Sequence, residues 1–334
     1  MSRYHKLPSK DSDMKELIHV DEDFKKALTA LYDGLQKTNN KSIKEPDISS
    51  LDNFIQNTFS LSFPDFSFDA WHIHLIANDI DDAIKDGKYY ALILPRFHLK
   101  STITYAVILY RILKAKRSDD VIYISYKDEL CCYHISNIKN IVLNNPILSH
   151  YLIDKNKQSK TSFEYEIGAN RFRSFTGGVF GVKRGMHTGI GGITVSDDIL
   201  SDPQNPLTFT ELEKIEKVFN AEISNIPTDG SFMMVVGTVQ DYSDLLFKLR
   251  DNSQYKYRFM PAYNPLLDKP EIKVLWEKGF GPEKLLKQLE KIGGKAFASE
   301  FELAPVLSTQ SFFSKEELDR VIDKNLFNIQ ISGW

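Results

Sequence analysis

The chain has 334 residues, and its 42 Lys and Arg side chains nearly balance 45 Asp and Glu, for a formal net charge of −3. Hydrophobic residues make up 42% and charged residues 26% of the sequence, which fits a globular protein and excludes disordered, collagen-like and coiled-coil chains. The near-neutral charge balance argues against a protein that coats nucleic acid through its bulk charge, but it allows a local basic groove. The adjacent Cys131 and Cys132 fit a reducing, cytosolic setting, and neither a secretory signal nor a membrane span is expected.

The first 60 residues are rich in Asp, Lys, Asn and Ser. Apolar side chains between Phe24 and Leu35 recur there at helical spacing, and the polar stretch around Pro46 is typical of a loop. We therefore predict a helical N-terminal extension over residues 1–60.

From about residue 63, strand and helix patterns alternate. Apolar runs predict strands at residues 89–94, 121–125, 193–196, 232–236 and 257–260. Helical patterns occupy residues 73–80, 101–116, 129–144, 210–223, 244–250, 282–292 and 314–323. Alternating residues on both sides of a Gly-Ala-Asn turn predict a hairpin over residues 162–175. This order predicts an α/β fold, with a mostly parallel sheet and helices on both faces, over a domain of residues 61–310.

The sharpest motif is LPRFHLKST, from Leu94 to Thr102, between a predicted strand and a predicted helix. Such a junction holds phosphates with free backbone N–H groups, so Lys100 would reach the β- and γ-phosphates and Ser101, less readily Thr102, would ligate Mg²⁺. The pattern G-x-x-x-x-G-K-[ST] has glycine where this chain has Leu94 and Leu99, and a residue other than glycine adopts that loop conformation at a greater cost. The alternative is an ordinary helix start capped by polar residues.

A second candidate lies at the end of the strand ITVSDD. Asp197 would be the metal carboxylate, and Asp198 the general base that orients or deprotonates the attacking water. The alternative is that Asp197 caps the following helix or turn.

Two further segments carry candidate residues. Residues 170–192 are dense in Gly and in Arg or Lys, interleaved with Phe, a mixture that can contact a phosphate backbone or stack on bases. Arg184 within it could deliver a guanidinium to the γ-phosphate. Thr238, at the tip of a strong strand, is a candidate sensor of the γ-phosphate. His72 and His74 fall on a helical pattern, which argues against a metal pair, and no constellation is apparent around His134.

Several motifs in this order resemble the large terminase subunit of tailed bacteriophages, the DNA-packaging motor. They are W-H at residues 71–72, P-R-x-H-x-K-S at 95–101, a G-V-R-G-x-H-like stretch with an inserted Lys at 181–187, D-D at 197–198, an I-G-T-like segment at 236–238, and late L-W-E and F-to-P motifs at 275–277 and 297–305. The resemblance covers about residues 63 to 313 and implies a P-loop NTPase of the RecA or ASCE type.

Roles follow from the resemblance by position. Arg96 would lie near the γ-phosphate, Arg184 would be an arginine finger acting within the subunit or across a ring interface, and Thr238 would belong to the coupling motif. The implied ATP site consists of Trp71 and His72 near the adenine, with Pro95, Arg96, Phe97, His98, Leu99, Lys100, Ser101 and Thr102 around the phosphates.

The resemblance further implies hydrolysis of ATP, with Mg²⁺, to drive double-stranded viral DNA into a procapsid. The implied partners are the portal protein, the small terminase subunit and further copies in a ring, without a membrane, in the cytoplasm of an infected bacterial host. Residues 311–334 would be a linker towards a nuclease domain, and no DNA cleavage is predicted for this chain. Two alternatives stay open: a helicase-like nucleic-acid-dependent ATPase, and a non-hydrolysing nucleotide-binding module with a degenerate loop.

Overall fold

One eight-stranded sheet organises the residues that the computed structural model describes, which are 44–155, 161–182, 185–200, 207–263 and 274–305. Its strands are β1 Tyr89–Ile93, β2 Asp119–Ser125, β3 Ile153–Asp154, β4 Glu164–Ile167, β5 Asn170–Gly178, β6 Ile193–Asp197, β7 Phe232–Gly237 and β8 Tyr255–Phe259. In space they are ordered β3-β4-β5-β2-β6-β7-β1-β8. Along this spatial order every pair from β5 to β8 is parallel, whereas at the other edge β3 pairs with β4 and β4 pairs with β5 in antiparallel fashion. The predicted mostly parallel sheet is confirmed.

Helices cover both faces of this sheet. They are α1 Leu51–Asn57, α2 Trp71–Lys85, α3 Lys100–Lys114, α4 Asp128–Asn144, α5 Leu148–Tyr151, α6 Phe209–Ala221, α7 Leu245–Lys248, α8 Glu277–Phe280 and α9 Pro282–Glu300, with short 3-10 turns at Phe59–Ser62, Val179–Gly181, Ile223–Asn225 and Leu249–Asp251. The first four helices pack on one face and α6 and α7 on the other. Within the described ranges, no helix combines the length and apolarity needed to cross a membrane.

Burial on both faces explains why the central strands read as continuous apolar runs. In β1, Tyr90 and Leu92 belong to the core under α1 to α4, whereas Ala91 and Ile93 belong to the core under α6 and α7. A strand that is covered on both sides has no solvent-facing positions and therefore loses the polar alternation of a one-sided strand. The same reasoning applies to β7, whose six residues are all buried.

Most predicted elements lie within a few residues of the observed ones, including the hairpin of β4 and β5. The helix predicted over 282–292 is longer, since α9 continues to Glu300 across Gly293, which has a non-helical backbone (φ 79°, ψ 160°). The helices predicted near residues 24–35 and 314–323 lie outside the described residues, and the domain limits remain predictions. Helix α1 contributes Leu51 and Phe54 to the main core, where both are fully buried.

Candidate nucleotide site

The loop between β1 and α3 contains two residues in the left-handed backbone region. Phe97 has φ 64° and Leu99 has φ 66°, and Leu99 immediately precedes the first helical residue, Lys100. This conformation costs a residue with a side chain about 1–2 kcal/mol, whereas glycine adopts it freely. Leu99 stands where the G-x-x-x-x-G-K-[ST] pattern has glycine. The loop therefore has a glycine-type backbone without glycines.

The end of α9 holds this loop in place. The Arg96 backbone N–H donates to the Glu300 carbonyl (3.2 Å), and the Arg96 Nε atom lies 2.8 Å from Glu300 Oε2. The Phe97 ring stacks on Phe280 with ring centroids 5.5 Å apart and packs against Phe301 at 6.2 Å. These contacts stabilise the loop in this shape and so oppose the cost of its backbone conformation.

Lys100 lies between the carboxyl ends of β6 and β7. Its side chain is 8% exposed, its ammonium donates to Asp198 Oδ1 at 3.3 Å, and it also donates a short hydrogen bond to the Thr238 hydroxyl. Thr238 in turn donates to the Leu94 carbonyl at 3.2 Å. Thus the strand tip with Thr238, the strand tip with Asp198 and the loop lysine meet at one point, as required for contact with a terminal phosphate.

Ser101 and Asp197 form the second half of the site. The Ser101 hydroxyl donates to Asp197 Oδ2 at 2.9 Å, and Asp197 is 1% exposed. Burial and the neighbouring charge of Asp198 raise the pKa of the Asp197 carboxyl above its ordinary value, although His134, the Tyr123 hydrogen bond and Lys100 oppose this. The Asp198 side chain is 36% exposed, and its backbone has φ 49°.

The donor set fits a magnesium ion. A serine hydroxyl and a buried carboxylate are hard oxygen ligands, and Mg²⁺ in phosphoryl-transfer sites takes few protein ligands besides phosphates and water. Asp197 Oδ1 is buried and accepts no hydrogen bond within the described part of the chain, so one carboxylate oxygen is left over for a cation or its water. No group of three or more His, Cys, Asp or Glu side chains suited to a metal occurs among the described residues.

Two buried histidines, His98 in the loop and His72 on α2, pack near the Trp276 ring. His72 and His98 are both 0% exposed, and their rings lie 5.8 and 6.3 Å from the Trp276 ring. Neither nitrogen of His72 has a hydrogen-bond partner in the described structure, whereas His98 Nδ1 contacts the Arg96 carbonyl at 2.7 Å. Burial lowers the pKa of His72 to about 3 and that of His98 to about 4. Both imidazoles are therefore neutral. Trp71, expected near the adenine with His72, is 37% exposed.

The structure brings five of the predicted residues together and leaves others apart. Those together are Lys100, Ser101, Asp197, Asp198 and Thr238. Arg96 points to Glu300 instead, with its side chain 55% exposed, and Thr102 lines a separate cavity of about 290 Å³ between α3 and α4. Lys183 and Arg184, the candidates for an arginine finger, lie outside the described residues.

The basic residues of β5 are already paired. Arg173 makes a bidentate contact with Asp120 at 3.0 and 3.2 Å, and Arg171 forms an ion pair with Glu164. A phosphate backbone would have to compete with these carboxylates, so the two arginines are weaker candidates for nucleic-acid contact than the sequence alone indicates.

The expectation that no functional constellation surrounds His134 is wrong. His134 Nδ1 lies 2.5 Å from the Tyr105 hydroxyl, its ring stacks on Tyr123 at 5.1 Å, and its Nε2 atom is 3.8 Å from Asp197 Oδ2. One signal was available in the sequence, because Tyr105 is four residues after Ser101 and therefore lies on the same side of the helix.

At this site the carboxyl ends of neighbouring parallel strands meet the start of a helix. A lysine and a serine begin that helix, and two aspartates end one of the strands. This combination defines the P-loop class of α/β fold. No protein-family model matches the sequence, and no curated protein matches it. Among solved structures, the chain is similar to the large terminase of HK97 bacteriophage, at 14% identity and a TM-score of 0.53, over 78% of this chain and 55% of that one.

Two further solved structures are also similar to the chain, with lower TM-scores. One is the large terminase of a thermophilic bacteriophage in complex with ATP-gamma-S (10% identity, TM-score 0.47, 67% of this chain and 49% of that one). The other is the ATPase domain of a Thermus phage large terminase (10% identity, TM-score 0.42, 64% and 87%). The chain spans about half the length of the first two. The HK97 likeness shows that this chain has the fold of about half of that large terminase, as the sequence motifs indicated.

Proposed function

We propose that this chain is the ATP-hydrolysing motor part of a viral terminase and drives double-stranded DNA into a procapsid. The observation that carries the proposal is the meeting of Lys100 and Ser101 with Asp197 and Asp198 at the carboxyl ends of β6 and β7. Each of these side chains has the chemistry that its position in a nucleoside-triphosphatase requires. The terminase fold supports the coupling to DNA, and the ATP chemistry rests on the site.

In this proposal the Lys100 ammonium leaves Asp198 and Thr238 to bind the β- and γ-phosphates. Free backbone N–H groups at the start of α3, together with its dipole, hold the same anion. Ser101 and Asp197 would hold Mg²⁺, which supplies charge neutralisation on the phosphate oxygens when bound. Asp198, released from Lys100 and partly exposed, orients the attacking water and accepts its proton.

Thr238 is the proposed coupling residue. Its hydroxyl accepts from Lys100 and donates to the carbonyl of Leu94, so it contacts both the phosphate-binding lysine and the strand that begins the loop. When Lys100 moves to a phosphate, Thr238 loses its donor. The hydrogen bonding of the β7 tip therefore depends on whether a triphosphate is bound.

The remaining roles belong to the same proposal. Trp71 and the buried His72 lie near the adenine, Arg96 leaves Glu300 to contact the γ-phosphate, and Arg184 is the arginine finger. Viral DNA, the portal protein, the small terminase subunit and further copies in a ring would be the partners, in the cytoplasm of an infected bacterium.

ATP hydrolysis by the purified chain, with and without double-stranded DNA, tests the function. Lys100→Ala is expected to reduce turnover at least ~100-fold, because a charged donor to the transferred phosphoryl group is lost. Lys114→Ala is the matched control, since Lys114 ends the same helix, far from the loop, and donates to the Tyr110 hydroxyl there. Wild-type turnover in Lys100→Ala would contradict the assigned loop. Nucleotide binding without turnover in the wild type would favour the non-hydrolysing module.

A further inference from the structure

The two oxygens of the Asp197 carboxylate have different surroundings. Oδ2 accepts hydrogen bonds from the Tyr123 hydroxyl at 2.5 Å and from the Ser101 hydroxyl at 2.9 Å, and His134 Nε2 lies 3.8 Å away. Oδ1 is buried and has no hydrogen-bond partner in the part of the chain that the structure describes. A buried carboxylate oxygen without a partner is unfavourable unless a ligand completes it. The asymmetry therefore singles out Oδ1 as the ligand-facing atom.

The fold itself places Tyr123 against Asp197. In the parallel pairing of β2 with β6, Tyr123 is opposite Val195, so Asp197 is two residues further along the neighbouring strand and on the same face. This diagonal is within reach of an aromatic side chain. Tyr123 is fully buried, and burial together with the charge of Asp197 raises the pKa of its hydroxyl well above the ordinary value. The hydroxyl therefore keeps its proton and remains a donor to Oδ2.

A second chain of hydrogen bonds orients His134. Asn137 Nδ2 donates to the Tyr105 oxygen at 3.4 Å, and the Tyr105 hydroxyl is 2.5 Å from His134 Nδ1. The Tyr105 contact holds the imidazole through Nδ1, so Nε2 is the nitrogen that faces Asp197 Oδ2. The ring is also held flat against Tyr123, with an interplanar angle of 23°.

We propose that Tyr123 and His134 are positioning residues that hold Oδ2 of Asp197 and so present Oδ1 to the magnesium ion of the nucleotide. This inference rests on the proposed function, since it assigns a supporting shell to the same metal carboxylate. Hydrogen-bond partners behind a metal ligand fix its orientation, and their loss typically lowers metal affinity by about 10- to 100-fold.

The test is a magnesium titration of the binding of a fluorescent ADP analogue to the full chain. Tyr123→Phe removes one hydroxyl and keeps the ring, so the Mg²⁺ concentration for half-maximal response is expected to rise about tenfold, with binding in excess EDTA unchanged. His134→Phe keeps the stacked ring and removes both nitrogens, and is expected to shift the titration in the same direction. The His134 variant also keeps the inference testable if Tyr123→Phe does not fold.

Tyr165→Phe is the matched control, because Tyr165 is equally buried, its hydroxyl has no hydrogen-bond partner among the described residues, and it lies on β4 away from the site. It is expected to titrate like the wild type. If Tyr123→Phe titrates within about twofold of the wild type, or Tyr165→Phe shifts equally, the inference is overturned and the proposed function is untouched. If the wild type binds no nucleotide in the presence of Mg²⁺, both are overturned.

Discussion

Mild acid is expected to destabilise this protein through two buried histidines, one in the phosphate loop and one packed near it. Burial lowers the pKa of His72 to about 3 and that of His98 to about 4, from an ordinary value of 6.5. A histidine with a lowered pKa in the folded state is protonated first in the unfolded chain. Its contribution to stability is therefore fully present above pH 6.5 and is lost as the pH falls towards the folded-state pKa.

The size of the effect follows from those values. At about pH 5 both residues are protonated in the unfolded chain and mostly neutral in the folded one. The pH is then about 1.5 units below the unfolded-state pKa of each histidine. At about 1.36 kcal/mol per unit, each histidine lowers the free energy of unfolding by about 2 kcal/mol. Together they lower the free energy of unfolding by about 4 kcal/mol, a large fraction of the roughly 5–15 kcal/mol that stabilises a typical domain.

Urea unfolding at about pH 8 and about pH 5 measures this loss, and His72→Phe identifies its source. Neither nitrogen of His72 has a hydrogen-bond partner among the described residues, so a phenyl ring of similar shape is expected to be nearly neutral at pH 8. The variant should then lose about 2 kcal/mol less than the wild type between the two pH values. The exposed His150 provides the control His150→Gln. If the free energy of unfolding falls equally in His72→Phe and in the wild type between the two pH values, His72 is not a source of the acid sensitivity.

Two further predictions concern Asp198 and His74. Asp198→Asn is expected to bind ATP yet turn over at least ~100-fold more slowly, because the general base is lost; unchanged turnover would remove Asp198 from that role. Partial burial opposes protonation of His74, but hydrogen bonds to Asp69 and Asp52 outweigh it and raise its pKa. Its contribution to stability is therefore present below pH 6.5 and lost as the pH rises through the raised value. Melting temperatures should fall less in His74→Gln than in the wild type over that range, and parallel curves would contradict this.

The features that were predicted from the sequence depend on neighbouring residues. The run from Tyr89 to Leu94 had to be a strand covered on both faces, since it is apolar throughout. Lys100 follows it after a short loop, and Asp197 ends a second, less apolar strand pattern that begins at Ile193. In a parallel sheet the carboxyl ends of adjacent strands share one edge, so these residues could be expected to meet.

The features that were not predicted depend on register and on contacts across the chain. Tyr123 reaches Asp197 only because β2 and β6 pair with Tyr123 opposite Val195, which no local pattern specifies. Arg96 pairs with Glu300, about two hundred positions later in the sequence. Histidine is common in cores and on surfaces alike, so His134 itself carried no signal, and only the position of Tyr105 one turn after Ser101 pointed to this side of the helix.

The left-handed residues of the phosphate loop have a consequence for how such loops are found in sequences. Phe97 and Leu99 hold the backbone angles that glycine holds elsewhere, and stacking on Phe280 and Phe301 compensates for the difference. A glycine signature is thus only one way to encode the geometry, and aromatic residues from a distant segment are another. A search that requires glycine will miss chains of this second kind, whereas one that pairs a bulky loop residue with downstream aromatics would retrieve them.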